Sequence, residues 1–256
     1  MSRDYVTINR DVWDKDAENW VAPGERLWAL DRPEWGNWGE PEDVLRMLPA
    51  DMAGMDAIEL GCGTAYVSGW MARRGARVTA IDVSAAQLAT ARRIAGTYGC
   101  DITFIEGNAE ETGLPDGSFD FAISVYGAAI CCSTEVWLRE AWRVLLPGGR
   151  VAFLGNHPLM LICSPESGAP SDWSLHRPYR NLTGVDWTTV EIDPSGVSFN
   201  LTMAGWLRLF AEIGFAVTAY HEIYAPEGAT GIRGAVPAEW AQSYPVEQVW
   251  QLRKPD

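Results

Sequence analysis

Apolar and polar positions along this chain follow two periods that take turns. From residue 55 onward, apolar runs of strand length alternate with longer stretches whose apolar residues recur every three or four positions, the pattern of a parallel sheet with crossover helices. The spacing predicts a strand over 55–60 and a helix over 65–74 that turns Val67, Trp70 and Met71 to one face and exits at Gly75. A second strand covers 77–82. Ser84 then N-caps a helix running to about residue 98, with Leu88, Ala91, Ile94 and Ala95 inward. Strands over 102–106 and 119–125 flank the turn Leu114-Pro115-Asp116-Gly117-Ser118, and a helix over 133–146 ends at Pro147-Gly148-Gly149. A strand over 150–155, a helix over 203–213 closed by Gly214, and strands over 215–223 and 246–252 complete the alternation.

Two stretches break this rhythm. Residues 1–50 read as an N-terminal cap on a domain spanning 51–256, and residues 156–201 as a substrate-side insertion within that domain. An insertion of that length in a compact domain is expected to hold short helices or strands of its own. The cap carries Tyr5, Trp13, Trp20, Trp28, Trp35 and Trp38. Helical spacing over 12–20 suggests an amphipathic cover, whose aromatic faces could hold a planar substrate or a cation. Ordinary packing of a cap on the sheet is the alternative, and Tyr5, Trp35 and Trp38 are the candidates for touching a bound cofactor.

The strongest chemical signal is Glu59-Leu60-Gly61-Cys62-Gly63-Thr64-Ala65, between the first strand and the first helix. Glycines there permit a sharp turn and a close ligand approach, and the helix start beyond offers unpaired N–H groups. Asp82, ending the second strand about twenty residues on, is where a carboxylate receives ribose hydroxyls in doubly wound nucleotide folds. A dinucleotide fingerprint would need glycine at position 66, where Tyr66 stands. Glu59 would repel a pyrophosphate and could receive a cation instead. An unliganded tight turn remains the alternative for the glycines taken alone.

Read together, Glu59-Leu60-Gly61-Cys62-Gly63-Thr64, Ile81-Asp82, Asn108-Ala109-Glu110, Leu114 to Asp120 and Leu146-Pro147-Gly148-Gly149-Arg150 resemble the class I S-adenosylmethionine-dependent methyltransferases, of the small-molecule, methyltransferase-11-like type. The resemblance covers residues 50–155 well and the part after 202 more weakly. It extends, less specifically, to an actinobacterial-looking branch with a tryptophan-rich start. It implies a Rossmann-like, doubly wound α/β sheet of seven strands, parallel except for one antiparallel edge strand. It also implies S-adenosylmethionine as cofactor, S-adenosylhomocysteine as product, and in-line methyl transfer to a small organic acceptor. Gly61 and Gly63 would pass beneath the methionine part, Asp82 would hold the ribose, and Val83 would pack on adenine. Asn108, Ala109 and Glu110 would border the adenine ring, although the family more often has Asp where Asn108 stands. Val125 and Tyr126 would close the site, and Thr64 and Gln87 join the cofactor-binding set. Ala65 replaces a third glycine at small expected cost.

Composition narrows the partners. Twenty Lys and Arg against thirty-four Asp and Glu give a formal charge of −14, which argues against nucleic acid as the main partner. No apolar run opens the chain, so the expectation is a cytoplasmic protein with no membrane partner. The sequence leaves the oligomeric state open. Five cysteines form no disulfide framework or metal knuckle, and no metal is expected. A sulfonium methyl is already activated, so alignment can supply much of the rate. If a base assists, His157 is the candidate, with Tyr126 as a second catalytic candidate; otherwise His157 satisfies backbone groups before Pro158. His176, Trp173, Tyr179 and Trp187 suggest an aromatic lid in the insertion, and His221 reads as structural. A non-catalytic regulator that binds S-adenosylmethionine or a nucleotide with the same fold is the alternative function.

Overall fold

The computed structural model describes residues 4–256, so the first three residues of the cap lie outside the described residues. Seven strands form the central sheet: β1 Asp56–Leu60, β2 Arg77–Asp82, β3 Ile102–Glu106, β4 Phe119–Val125, β5 Leu145–Asn156, β6 Ala216–Ile223 and β7 Glu247–Arg253. Their spatial order is β6-β7-β5-β4-β1-β2-β3. The pairs β1·β2, β2·β3, β1·β4 and β4·β5 are parallel, while β7 runs antiparallel to both β5 and β6. The antiparallel strand therefore sits one place in from the edge, not at the edge as expected. Residues 224–246, which hold the hairpin Ile232–Arg233 with Val236–Pro237 and a helical turn at Ala238–Ala241, return the chain so that β7 runs antiparallel between β6 and β5.

Among the described residues six helices of eight residues or more accompany the sheet: α1 Tyr5–Asp16, α2 Val21–Trp28, α3 Tyr66–Arg73, α4 Ala85–Tyr98, α5 Thr134–Val144 and α6 Met203–Ile213. Three of them start on a side-chain cap: Asp4 accepts from Thr7 N at the start of α1. Ser84 Oγ accepts from Gln87 N at the start of α4, Gly99 ends it with left-handed φ, and Thr202 caps α6 through Gly205 N. The helix expected over 133–146 stops at Val144. Leu145 already pairs with Phe119 on β4, so β5 begins five residues early and runs through the Pro-Gly-Gly turn. The insertion holds a helix at Pro158–Ile162 and a two-stranded ladder, Gly184–Asp186 with Val197–Phe199.

Two apolar layers cover the sheet. On one face Trp28, Trp35, Met52, Val67 and Trp70 pack with Ile223 and Val249; on the other, Trp137, Phe153, Trp206, Phe210 and Trp250 form an aromatic layer. The cap is seated on the first layer by Trp28, which is fully buried and donates from Nε1 to Thr64 O at 2.8 Å. Its ring lies flat against the helix α3 backbone at Gly69, where an added Cβ would fall 2.3 Å from Trp28 Cζ3.

Gly→Ala inside a helix ordinarily stabilises by about 1 kcal/mol. At Gly69 the clash with a fully buried ring reverses the sign, and Gly69→Ala is expected to destabilise by about 1–3 kcal/mol. A lowered urea midpoint at unchanged m-value would register this; an unchanged or raised midpoint would show that the cap is not seated on this helix.

Candidate functional site

At the C-terminal ends of β1, β2 and β4 a cavity of about 320 Å³ opens beneath the cap. Its wall starts with the glycine turn. Gly61 and Gly63 both have left-handed φ, +74° and +51°, and Gly61 N donates to Ile81 O at 2.9 Å, which holds the turn against β2. The two glycines serve different purposes. A Cβ on Gly61 would lie 2.5 Å from Ala128 N, and one on Gly127 would lie 2.0 Å from Gly61 O. Gly61 is therefore required by the main chain leaving β4, whereas a Cβ on Gly63 would meet only Gln87 Oε1, at 4.0 Å. Ala65 has φ +58°. Its cost is backbone strain of about 1–2 kcal/mol, more than the packing argument from sequence implied.

Asp82 closes the turn from the side. Its Oδ2 accepts from Gly63 N at 2.7 Å and its Oδ1 from Ser84 N at 2.9 Å. Burial pushes its pKa up, an effect that these main-chain donors offset only in part. It is the one residue with a formal charge among the described residues lining the cavity. Tyr126 sits at φ 59°, ψ −47°, an expensive conformation for a non-glycine residue. It places a buried hydroxyl with no partner among the described residues at the cavity wall, and Gln87 Oε1 is a second such atom.

The structure brings Gly61, Gly63, Thr64, Asp82, Val83, Gln87, Asn108, Ala109, Val125 and Tyr126 together on this wall. Asn108 Oδ1 also accepts from Glu110 N at 3.0 Å, which shapes its loop. Six other candidates lie off the cavity. Glu59 is buried beneath the turn, where one carboxylate oxygen accepts from Ser68 N and Ser68 Oγ. Burial pushes its pKa up to about 8, so it ties β1 to α3 and supplies no charge for a cation at neutral pH. Glu110 accepts from Tyr5 Oη and from Ser133 N, so both Glu110 and Tyr5 are spent joining α1 to the loop before α5. Trp35 is buried against Trp70 with its Nε1 on Glu42, and Trp38 packs with Met160, Val236 and Trp240 in a smaller apolar cluster apart from the two layers, under the Arg233 guanidinium.

His157 is the sixth. It caps the helix Pro158–Ile162, its Nδ1 accepting from Leu159 N at 3.1 Å, and its Nε2 stands 3.5 Å from Glu222. Burial holds its pKa down to about 4, so the ring is a neutral structural cap. The aromatic lid is not formed either: Trp173 is 59 % exposed, Tyr179 is exposed, and His176 bonds to Asp172. Val6, Asn9, Trp13 and Trp20 cover the cavity instead. Asn9 locks that cover in place, donating to Cys131 O and Val197 O and accepting from Val197 N. Cys62, Cys131 and Cys132 also line the wall as free thiols whose burial keeps them protonated. Among the described residues no group of three or more His, Cys, Asp or Glu could hold a metal ion, and no helix is long and apolar enough to cross a membrane.

Residues 58–153 match the family model of a methyltransferase domain. The malonyl-acyl-carrier-protein O-methyltransferase of Pectobacterium atrosepticum is 35% identical over 112 residues, 44% of this chain and 42% of that protein. The ubiquinone/menaquinone biosynthesis C-methyltransferase UbiE of Methylobacterium nodulans is 46% identical over 74 residues, 28% of this chain and 29% of that protein. The chain thus spans less than half the length of these curated relatives. An S-adenosylmethionine-dependent methyltransferase from Mesorhizobium loti superposes with a TM-score of 0.64 at 25% identity, over 82% of this chain and 95% of that one. Residues 58–153 are thus similar to a methyltransferase domain, and most of the chain shares the fold of an S-adenosylmethionine-dependent methyltransferase, which makes S-adenosylmethionine the cofactor to test against the site. The site fits it: an open shelf at Gly63, a fixed carboxylate at Asp82 with lone pairs to spare, and two unpartnered buried polar atoms face the same space.

The buried acids set a pH dependence. Glu59 has its folded pKa raised to about 8 and Glu247 to about 7, both by burial, against about 4.3 when unfolded. Between these values the folded state binds more protons than the unfolded one, so stability falls as pH rises. His157, with its folded value depressed, acts in the opposite sense, and only between about 4 and about 6.5. The urea midpoint is expected to drop between about pH 6.5, where the opposing effect of His157 ends, and about pH 8, and Glu59→Gln to flatten the drop; a midpoint that rises over this range would contradict the burial of both acids.

Proposed function

We propose that this protein transfers the methyl group of S-adenosylmethionine to a small organic acceptor by in-line displacement. The observation that carries the reading is the hydrogen-bonded unit of Asp82 with Gly63 N and Ser84 N, set at the wall of a cavity closed by α1. A carboxylate fixed by two main-chain donors still has lone pairs for a pair of vicinal hydroxyls. Asp82 also gives the cavity a negative character that suits a sulfonium. When bound, the cofactor supplies a methyl group already activated by its positive sulfur. This chain's own residues then bind, orient and exclude water: the glycine turn and Asp82 hold, Val83 and Ala109 give apolar surface, and Trp13 and Trp20 roof the space. The cavity wall holds no His or Lys among the described residues, which accords with catalysis by alignment rather than by a dedicated base. The methyltransferase names of the relatives favour transfer over a binding-only regulator.

Asp82→Ala is expected to raise the dissociation constants for S-adenosylmethionine and S-adenosylhomocysteine by about tenfold or more, since hydrogen bonds to a charged partner are worth about 1.5–3 kcal/mol each. Titration calorimetry measures this directly. Wild-type protein that binds neither ligand, or Asp82→Ala binding that matches wild type, would sink the reading.

A further inference from the structure

The cavity has a second end, away from Asp82, lined by Asn37, Tyr66, Tyr126, Ile130, Asn156 and Gly234. These come from distant parts of the chain: the turn between the short cap strands Glu34–Trp35 and Glu40–Pro41, the start of α3, the segment after β4, the end of β5, and the hairpin between β6 and β7. All are uncharged. The hydrogen bonds of Asn37 and Asn156 run through their main-chain atoms: Asn37 N donates to Glu247, Asn37 O accepts from Arg233, and Asn156 O accepts from Asn200 and Gln248. Their carboxamides bond to no described residue, and the Tyr126 hydroxyl is buried without a partner.

Asn37 is held with unusual care for a loop residue. Glu247, the first residue of β7 and fully buried, lies opposite Asn156 in the β5·β7 ladder. Its carboxylate accepts from Asn37 N at 2.9 Å through Oε1 and at 3.3 Å through Oε2. A Cβ on Gly36, which has φ +70°, would lie 2.4 Å from Glu247 Oε2. From the other side, a Cβ on Gly234 would lie 2.3 Å from Asn37 Nδ2. Two glycines and a buried acid thus converge on one residue, and the result is a free carboxamide at the wall of the cavity.

We propose that this end receives the methyl acceptor, that Asn37 is its specificity-determining residue and Glu247 the residue that positions it, and that the acceptor presents a flat, uncharged, hydroxyl-bearing group such as a phenol. The inference rests on the cofactor reading above. Carboxamides and a phenolic hydroxyl both donate and accept, which matches a neutral hydroxyl. A free carboxylate would enter an end whose described lining holds no cation and whose buried neighbour is an acid, and an unpaired buried anion is costly. The walls given by Tyr66, Tyr126 and Ile130 suit a ring.

The test uses the full chain saturated with S-adenosylhomocysteine, which lacks the sulfonium charge and so isolates the preference of the protein itself. Two probes of one shape, 2-naphthol and 2-naphthoate, are titrated at neutral pH by calorimetry. Binding of 2-naphthol is expected to be about tenfold tighter or more. Asn37→Ala, and Gly234→Ala through displacement of the carboxamide, each weaken 2-naphthol about three- to tenfold, with S-adenosylhomocysteine affinity unchanged. Glu247→Gln, which keeps an acceptor for Asn37 N, retains 2-naphthol binding, whereas Glu247→Ala weakens it as Asn37→Ala does. Naphthoate binding as tight as naphthol, no saturable naphthol binding, or naphthol affinity indifferent to Asn37→Ala and Gly234→Ala overturns the proposal. Failure of S-adenosylhomocysteine to bind wild-type protein would instead strike the cofactor reading.

Discussion

Two main chains pass each other at the mouth of this sheet with no room for a side chain between them. The turn after β1 and the segment after β4 meet at Gly61 and Gly127, where any Cβ would overlap a backbone atom of the other strand's exit. That contact fixes the rest of the site. With the Gly61 loop pressed against Gly127, Gly63 is left facing open space and within reach of Asp82, and Tyr126 is driven to a positive φ. Ser124 stitches the crossing from below, its Oγ donating to Leu60 O and accepting from Ala129 N. The cavity is the space left over when two adjacent strand exits are forced together and the next strand, β2, supplies the carboxylate.

Charge is distributed with similar economy. Three acids lie near the cavity, and burial raises the pKa of each. Glu59 and Glu247 are removed from the lining and spent on structural donors, Ser68 and Asn37. Asp82 alone both lines the space and is countered by main-chain donors that favour its ionised form. The outcome is a mostly apolar chamber whose described lining carries one formal charge, at Asp82, and whose far end is lined by uncharged side chains.

Local signals were legible in the sequence and long-range ones were not. The strand and helix positions from 55 to 125, the glycine turn and Asp82 follow from periods and spacings within about thirty residues of chain, and they lie where the sequence predicts. Composition shows that the cap is aromatic but not that Trp13 and Trp20, rather than Trp35 and Trp38, face the cavity; that is settled by Asn9 docking on Val197, far away in sequence. The Asn37–Glu247 pair joins residues 210 apart, and no pattern along the chain announces it. The insertion of β7 between β5 and β6 is of the same kind, a register fixed by pairing rather than by propensity. Glu59 was illegible for a different reason: a place beside a ligand turn does not say whether a side chain faces the ligand or, as here, the core below.

The most direct test of the account is a crystal structure of the full chain grown with S-adenosylhomocysteine. The account predicts the nucleoside in the cavity beneath α1, with its ribose hydroxyls on Asp82 and its amino-acid tail along the Gly61–Gly63 turn, and the Gly61·Gly127 crossing unmoved. A nucleoside bound elsewhere, or a ribose with no contact to Asp82, would contradict it.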